Sequence, residues 1–480
     1  MRAALLSVQD EEAPAAAGDA AAPASPSRWL VLFLYSALSA LQSLLWITFS
    51  SVPEASKAYL GASDDTLSLF LDWGPIAFCL AAFPAQYLLS ASRSGLQRSI
   101  RLGFALCLLA AALRLLPVAL PPAQRGAPAA LAAVHAAQFL NGAVAPLAVA
   151  SPAFLSLLWF PERERNLATA VANTANALGR AVGFFLGPAL VARGSDVPTL
   201  LYATLACAAV PAAAAFAHLP LAPPQPPSAA AAAEAARWGA DGRPAAAGAA
   251  TPRALAAAAL AACRHPAFLA VALCGGATMA WFGAWSGELT PALTAGGRFS
   301  DAQAGSIGAL TTFMGIAGGV CAGGLTDLPA LQRSLKGFVV ALALASALLF
   351  LPLALALPPL SALLPGAAGA ALTFPALMAL CGAAGFVRGG LDPLFFELAA
   401  ETAWEVRVGA DMAGSVLTLI YHVLLSATLS VPAAPLMATV LAGMPLALLV
   451  GAAGLVCVRV EYSRRGGGGG KGGGLGLTEG

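Results

Sequence analysis

Charge is scarce in this chain. Asp, Glu, Lys and Arg make up 10% of its 480 residues, and histidine occurs four times. The net charge of +2 carries no information about nucleic acid, and the short basic loops read as ordinary topology signals, so no nucleic-acid partner is expected. The eight cysteines (Cys79, Cys107, Cys207, Cys263, Cys274, Cys321, Cys381 and Cys457) include no Cys-x-x-Cys pair. They read as small apolar residues, not as a zinc site or a disulfide framework. Paired histidine or cysteine metal motifs, a nucleophile elbow and a phosphate-cradling loop are all missing. An integral membrane enzyme therefore ranks last, an ATP-driven pump is excluded, and no cofactor or metal is expected. All four asparagines (Asn141, Asn166, Asn173 and Asn176) lie outside any Asn-x-Ser/Thr sequon, which excludes N-glycosylation.

What fills the chain is apolar: 59% of residues are hydrophobic. They gather into twelve segments near 29–52, 66–89, 99–120, 129–160, 167–191, 198–219, 266–292, 302–325, 335–357, 367–396, 412–430 and 434–458. A helix of roughly 17–25 residues crosses a hydrocarbon core. These runs are too long for barrel strands, and only helices or closed barrels satisfy the backbone in lipid. The expected fold class is an all-α, multi-pass membrane protein with two six-helix bundles, at 29–219 and 266–460. Residues 1–28 are Ala/Pro-rich and acidic, lack the order of a secretory signal, and read as a disordered terminus. Residues 220–265, with Pro223, Pro224, Pro226 and Pro227 before an alanine tract, read as a mobile linker. The glycine-rich tail, 461–480, is assigned no structure.

Basic residues set the orientation. With both termini on one side, 18 Lys/Arg fall on that side and four (Lys57, Arg125, Arg193 and Arg298) on the other. Three more, Arg114, Arg180 and Arg388, fall inside spans. This bias puts the termini and the central loop in the cytosol. Arg114, near a helix end, is expected to snorkel to the interface.

Two six-helix halves around a long linker outline a major facilitator, in which the solute sits at mid-membrane between halves that rock. A glycine turn with a charge clamp is expected after the second helix of each half. Gly323-Gly324-Leu325-Thr326-Asp327, followed by Arg333 and Lys336, fits well; Arg93-Ser94-Gly95-Leu96-Gln97-Arg98 fits weakly. Asp327 is thus expected as a gate residue, the alternative being plain turns flanked by positive-inside arginines. Arg163 and Arg165 are expected to meet Glu397 and Glu401 as a second clamp.

More specific words follow: His135-Ala-Ala-Gln138-Phe-Leu-Asn141-Gly142, Trp159-Phe160-Pro161-Glu162-Arg163-Glu164-Arg165, Trp73-Gly74-Pro75, Trp285-Ser286-Gly287 and Pro393-Leu-Phe-Phe-Glu397. Their order resembles solute carrier family 49, the relatives of the feline leukaemia virus subgroup C receptor, from about Arg28 to Val460. Within it the likeness leans to the branch of the disrupted in renal carcinoma protein. That resemblance implies a carrier of a pyridoxine-like or choline-like solute in a lysosomal, endosomal or plasma membrane, acting as a monomer. In the choline-carrying branch a first-helix tryptophan faces the cationic head group, and Trp46 stands in the matching place with Gln42 a turn earlier. Two family glutamines are replaced, by Ala177 beside Asn176 and by His422. These departures leave the solute open.

Intramembrane charge supplies the remaining candidates, because each such group must face the interior or pair. Arg388 and Asp392 are four apart and suit a self-neutralising pair. Trp281, Trp285 and Glu288, at steps of four and three, share one helical face. That face either holds a protonatable ring or leaves Glu288 wet at the outer end. His422, beside Tyr421, is either a proton carrier or a hydrogen-bond partner. The expected solute site comprises Gln42, Trp46, Asn173, Asn176, Trp285, Glu288, Tyr421 and His422. The partners are a small polar or cationic solute and the bilayer, and coupling to protons is one option. The alternatives are a non-transporting receptor, which predicts a plugged cavity and has Arg180 as its best support, and a haem transporter.

Overall fold

The computed structural model describes residues 25–90, 92–149, 151–236, 252–294, 299–325, 331, 334–356, 373–404, 408, 410–431, 433–461 and 478–479. Helices dominate them. In chain order the long ones are α1 (Ser27–Trp46), α2 (Asp64–Ser90), α3 (Gly95–Leu113), α4 (Pro128–Val149, continued as Pro152–Trp159), α5 (Glu162–Leu190) and α6 (Val197–His218). The second set is α7 (Pro266–Thr294), α8 (Asp301–Leu325), α9 (Leu335–Ala356), α10 (Phe374–Gly389, continued as Leu391–Trp404), α11 (Ala410–Leu429) and α12 (Ala433–Val456). Ten of these are long and apolar enough to cross a membrane. The others are α5, made polar by its Glu162–Asn166 start, and α12, whose searched apolar stretch is Val440–Val456. Ten plus these two fits two sets of six.

Each half has its own interior. In the first, α1 packs on α4 and α5, α2 on α4, and α3 on α4 and α6. In the second, α7 packs on α11 and α12, α8 on α10, and α9 on α12. Contacts between halves run through α2 with α11 and through α5 with α8. Shifting each number by six turns one pair into the other, so the halves meet about a pseudo-two-fold axis.

Arg114 corrects an expectation. It is fully buried rather than snorkelling. Its guanidinium donates to Thr48 Oγ1 at 3.2 Å, to the Leu45 carbonyl at 2.9 Å and to Gln138 Oε1, and it lies 5.6 Å from the Phe49 ring. The acceptors come from α1, its extension and α4, so the charge is met inside the bundle and need not reach water. The other residues of the His135–Gly142 word join it. Gln138 donates to the Phe70 carbonyl (2.9 Å), Asn141 to the Gln42 carbonyl (3.1 Å), and Trp73 Nε1 to His135 Nδ1 (2.9 Å).

Part of the linker is helical. It contains helices at Ala229–Ala236 and Pro252–Arg264. Alanine has the highest helix propensity, which offsets the small apolar area these segments bury. At the chain end Val460–Glu461 pairs antiparallel with Thr478–Glu479, a two-residue ladder where the tail was assigned no structure. Asp327 lies outside the described residues.

Candidate functional site

The two halves are joined on the side of the membrane away from the termini. The first half of α2 makes most of that seal. Ser68 Oγ donates to Glu288 Oε1 of α7 at 3.1 Å, and Ser430 Oγ, just beyond α11, donates to Asp72 Oδ2 at 3.1 Å. Nearer mid-depth, Phe78 stacks on His422, with ring centroids 3.5 Å apart and planes 2° from parallel. The pseudo-symmetric seam is built from Phe184 of α5 against Gly305 and Gly308 of α8. A Cβ on Gly308 would lie 2.9 Å from the Phe184 ring, and one on Gly305 would run into the Phe184 carbonyl. Glycine is required there because the backbone of α8 touches α5.

Away from this seam the halves part. Asn173, Ala177, Arg180 and Phe184 recur at steps of four, three and four, so they form one stripe along α5. Phe184 fixes the direction of that stripe: it faces α8 of the other half. Exposure rises along it, from buried Phe184 through half-buried Arg180 and Ala177 to exposed Asn173 and Ala170. An asparagine exposed to lipid would be costly, so exposure on this inter-half face fits a polar gap between the halves rather than lipid contact.

At mid-depth the gap is lined by charge. α10 breaks after Gly389, and Arg388 and Asp392 straddle the break with Nη1–Oδ1 at 2.6 Å. A cation at the end of one helical segment and an anion in the first turn of the next suit the two exposed helix termini. The expected self-neutralising pair is therefore present. It is lopsided: Arg388 is buried with its guanidinium 4.6 Å from the Phe282 ring, whereas the Asp392 side chain is 40% exposed. Arg180 is within electrostatic reach of Tyr421, Asp392 and Arg388. Its Nε is buried without a hydrogen-bond partner.

The expected site residues divide into three groups. Gln42 and Asn176 join: Asn176 Nδ2 donates to Gln42 Oε1 (3.2 Å) and to the Ser39 carbonyl (3.1 Å), bridging α1 and α5. Asn173 and Tyr421 border the gap with Arg180. Trp46, Glu288 and His422 belong to the seal. Trp46 is buried, donates from Nε1 to the Leu71 carbonyl at 2.9 Å and lies against Gly74. His422 Nδ1 is 2.8 Å from the Thr418 carbonyl.

Trp285 stands apart, inside the second half. It stacks on Phe282 (5.5 Å) and meets Phe350 of α9 edge-on (5.3 Å). The Trp281/Trp285/Glu288 face therefore does not converge on one ligand. Trp281 Nε1 donates to the Val440 carbonyl of α12, Trp285 turns to α9 and Glu288 to α2. Seven residues span roughly 10 Å of helix, enough to pass three different neighbours. The expected clamp of Arg163 and Arg165 on Glu397 and Glu401 also differs. Arg163 lies 3.8 Å from Glu164, and Arg165 donates to the Phe160 carbonyl (3.4 Å) and to Ser228 of the linker. With the halves parted on this side, each arginine takes acceptors in its own neighbourhood.

Residue patterns alone did not point to Ser68 or Phe78 as interface groups, because their partners lie more than 200 residues away. Arg180 and Asp392 carried a signal, intramembrane charge, but not a position.

A family model, Major Facilitator Superfamily, matches residues 29–421. A curated relative, the solute carrier family 49 member 4 homolog of Xenopus tropicalis, is 28% identical over 400 residues, 80% of each chain. The choline/ethanolamine transporter FLVCR1 of Felis catus is 29% identical over 197 residues, 40% of this chain and 33% of that one. Among solved structures, the major facilitator transporter FucP in its outward conformation aligns with a TM-score of 0.55. It is 15% identical and covers 89% of this chain and 98% of FucP, a likeness of fold.

Proposed function

Because the chain belongs to the major facilitator superfamily, in the company of solute carrier family 49 members, we propose that it carries a small polar organic solute across a membrane by alternating access. The observation that carries this reading is the contrast along α5, sealed at Phe184 and open at Asn173. A binding space reached from one side only is what alternating access requires of each end state. The solute contacts Asn173, Arg180, Tyr421 and Asp392, with Gln42 and Asn176 behind them. When the seal opens, Ser68–Glu288, Ser430–Asp72 and Phe78–His422 separate, and a clamp forms on the terminal side.

The gap also argues against the receptor reading, which predicts a plugged cavity. A choline-like solute has the FLVCR1 relative in its favour. The groups expected to hold its cation are committed elsewhere, Trp46 in the seal and Trp285 in the second half's interior. His422 serves the seal first; a proton role for it would act on the opening step. Cytosolic termini and an endosomal, lysosomal or plasma membrane complete the proposal, with the monomer as the working unit.

The test is uptake into vesicles containing the purified full chain, incubated with a small-molecule extract of cells. Saturable enrichment of some solutes over protein-free vesicles is expected. Enrichment of none overturns the transporter reading.

A further inference from the structure

Charge around the gap does not balance. Arg388 and Asp392 neutralise each other at 2.6 Å, and each is further suited to its helix terminus. Arg180 has no such match: no hydrogen bond or ion pair closes on it among the described residues, and its Nε is buried. Two further carboxylates inside spans serve the seal, Glu288 on Ser68 and Asp72 on Ser430, while Glu397 and Glu401 lie further along α10. An arginine inside a membrane protein is costly unless something meets it. Here the cost stands on the stripe that faces the other half, along which exposure rises toward Asn173.

Arginine is also the side chain suited to carboxylate and phosphate, through a planar fork of donors. The Tyr421 ring, in reach of Arg180, lies close to Gly283 of α7, where a Cβ would come 3.1 Å from its hydroxyl. That packing fixes the phenol beside α7, and Asn173 adds an amide two helical turns nearer the opening. We infer that the transported solute is an organic anion, and that its carboxylate or phosphate group docks on Arg180 between α5, α10 and α11. The exposed Asp392 oxygen then faces the solute's uncharged or donor-bearing remainder. Bound anion completes the charge balance, which lets the loaded gap close at lower electrostatic cost than the empty one.

This inference rests on the transporter reading, and the experiment separates the two. Vesicles containing wild type, Arg180→Gln or Arg180→Lys are given the same cell extract, untreated or treated with phosphatase. Solutes enriched by the wild type are expected to be anions at neutral pH. Their uptake should fall about tenfold or more in Arg180→Gln, in line with loss of a charge-assisted hydrogen bond. Arg180→Lys should retain an intermediate part. Loss of the signal after phosphatase assigns a phosphate ester; persistence assigns a carboxylate. Ligand-free Arg180→Gln should unfold at or above the wild-type temperature, since Arg180 holds nothing in the empty protein and its unmet charge costs stability there. Enrichment of neutral or cationic solutes, uptake unchanged in Arg180→Gln, or a markedly lowered unfolding temperature of that variant each overturn the anion site while leaving the transporter reading intact. If the wild type moves no solute at all, the transporter reading fails and the anion inference falls with it.

Discussion

Arg114 and Arg180 are both intramembrane arginines on helices of the first half, and they live in opposite surroundings. Arg114 is enclosed by α1, α3 and α4, with three acceptors on its guanidinium and an aromatic ring beside it. Arg180 stands at the boundary between halves, with a buried nitrogen unpartnered and its nearest charges on the other half. The first pattern is that of a pin: both terminal nitrogens of Arg114 are bonded and tie three helices together, and Nε alone lacks a partner. The second is that of a socket. An unmet charge costs stability in the empty protein, and that cost is tolerated where a ligand offsets it. The same contrast separates the interior of the first half, dense with side chain to backbone hydrogen bonds, from the α5 stripe, where Asn173 is exposed and Arg180 has no hydrogen bond among the described residues.

Substituting the pin gives the largest expected effect. Arg114→Ala leaves the Leu45 carbonyl, Thr48 and Gln138 buried and short of a donor, and should destabilise by about 3 kcal/mol or more. Thermal unfolding in detergent, read beside Arg180→Gln, checks it. Equal losses in the two variants would erase the distinction between pin and socket.

Next in size is the seam between halves. Gly308→Leu puts a side chain where the Phe184 ring lies and should disfavour the sealed arrangement by roughly 1–3 kcal/mol through overpacking. Access of an impermeant reagent from the far side should rise accordingly. Unchanged access would mean that α5 and α8 tolerate separation without opening the gap.

Trp46→Phe is smaller. It keeps the aromatic body and removes the Nε1–Leu71 hydrogen bond, so a loss of about 1 kcal/mol in stability is expected. Solute affinity should change little if Trp46 is a seal residue. A large loss of affinity at normal stability would return Trp46 to the solute site.

The smallest effect is expected at the rim. Lys57 meets Glu54 at 2.7 Å and Asp64 at 2.8 Å, both exposed carboxylates. Partial burial pulls its pKa down, but the two carboxylates more than offset this and the net shift is upward. Stability from this cluster is therefore complete below the ordinary lysine range and is lost as pH rises through the raised value. Lys57→Met should cost at most ~1 kcal/mol, less in high salt. A pH series on unfolding temperature, with and without salt, measures it.

The helices were legible in the sequence because their signal is local: long apolar runs, broken by Pro and Gly clusters. The Arg388–Asp392 pair was legible for the same reason, as a spacing of four on one helix. Positions that depend on a second helix were not. Arg114 read as a snorkelling end residue because its acceptors, Leu45, Thr48 and Gln138, lie 69, 66 and 24 residues away. The Trp281/Trp285/Glu288 face was read correctly as a stripe and wrongly as one surface, since helical phase does not say which neighbour each turn meets. Asn173 and Arg180 share a stripe that the sequence also contains, but only Phe184 against Gly305 and Gly308 shows that the stripe faces the other half.

Transport by the proposed route requires a gap between the halves that is open on the terminal side and shut on the other. Asn173→Cys, in a chain whose other accessible cysteines are replaced, tests this directly. In oriented vesicles without solute, a membrane-impermeant thiol reagent should label Cys at this position when added on the side of the termini and leave it untouched when added on the opposite side. Labelling from the opposite side, or from neither side, would contradict the gap and the site built on it.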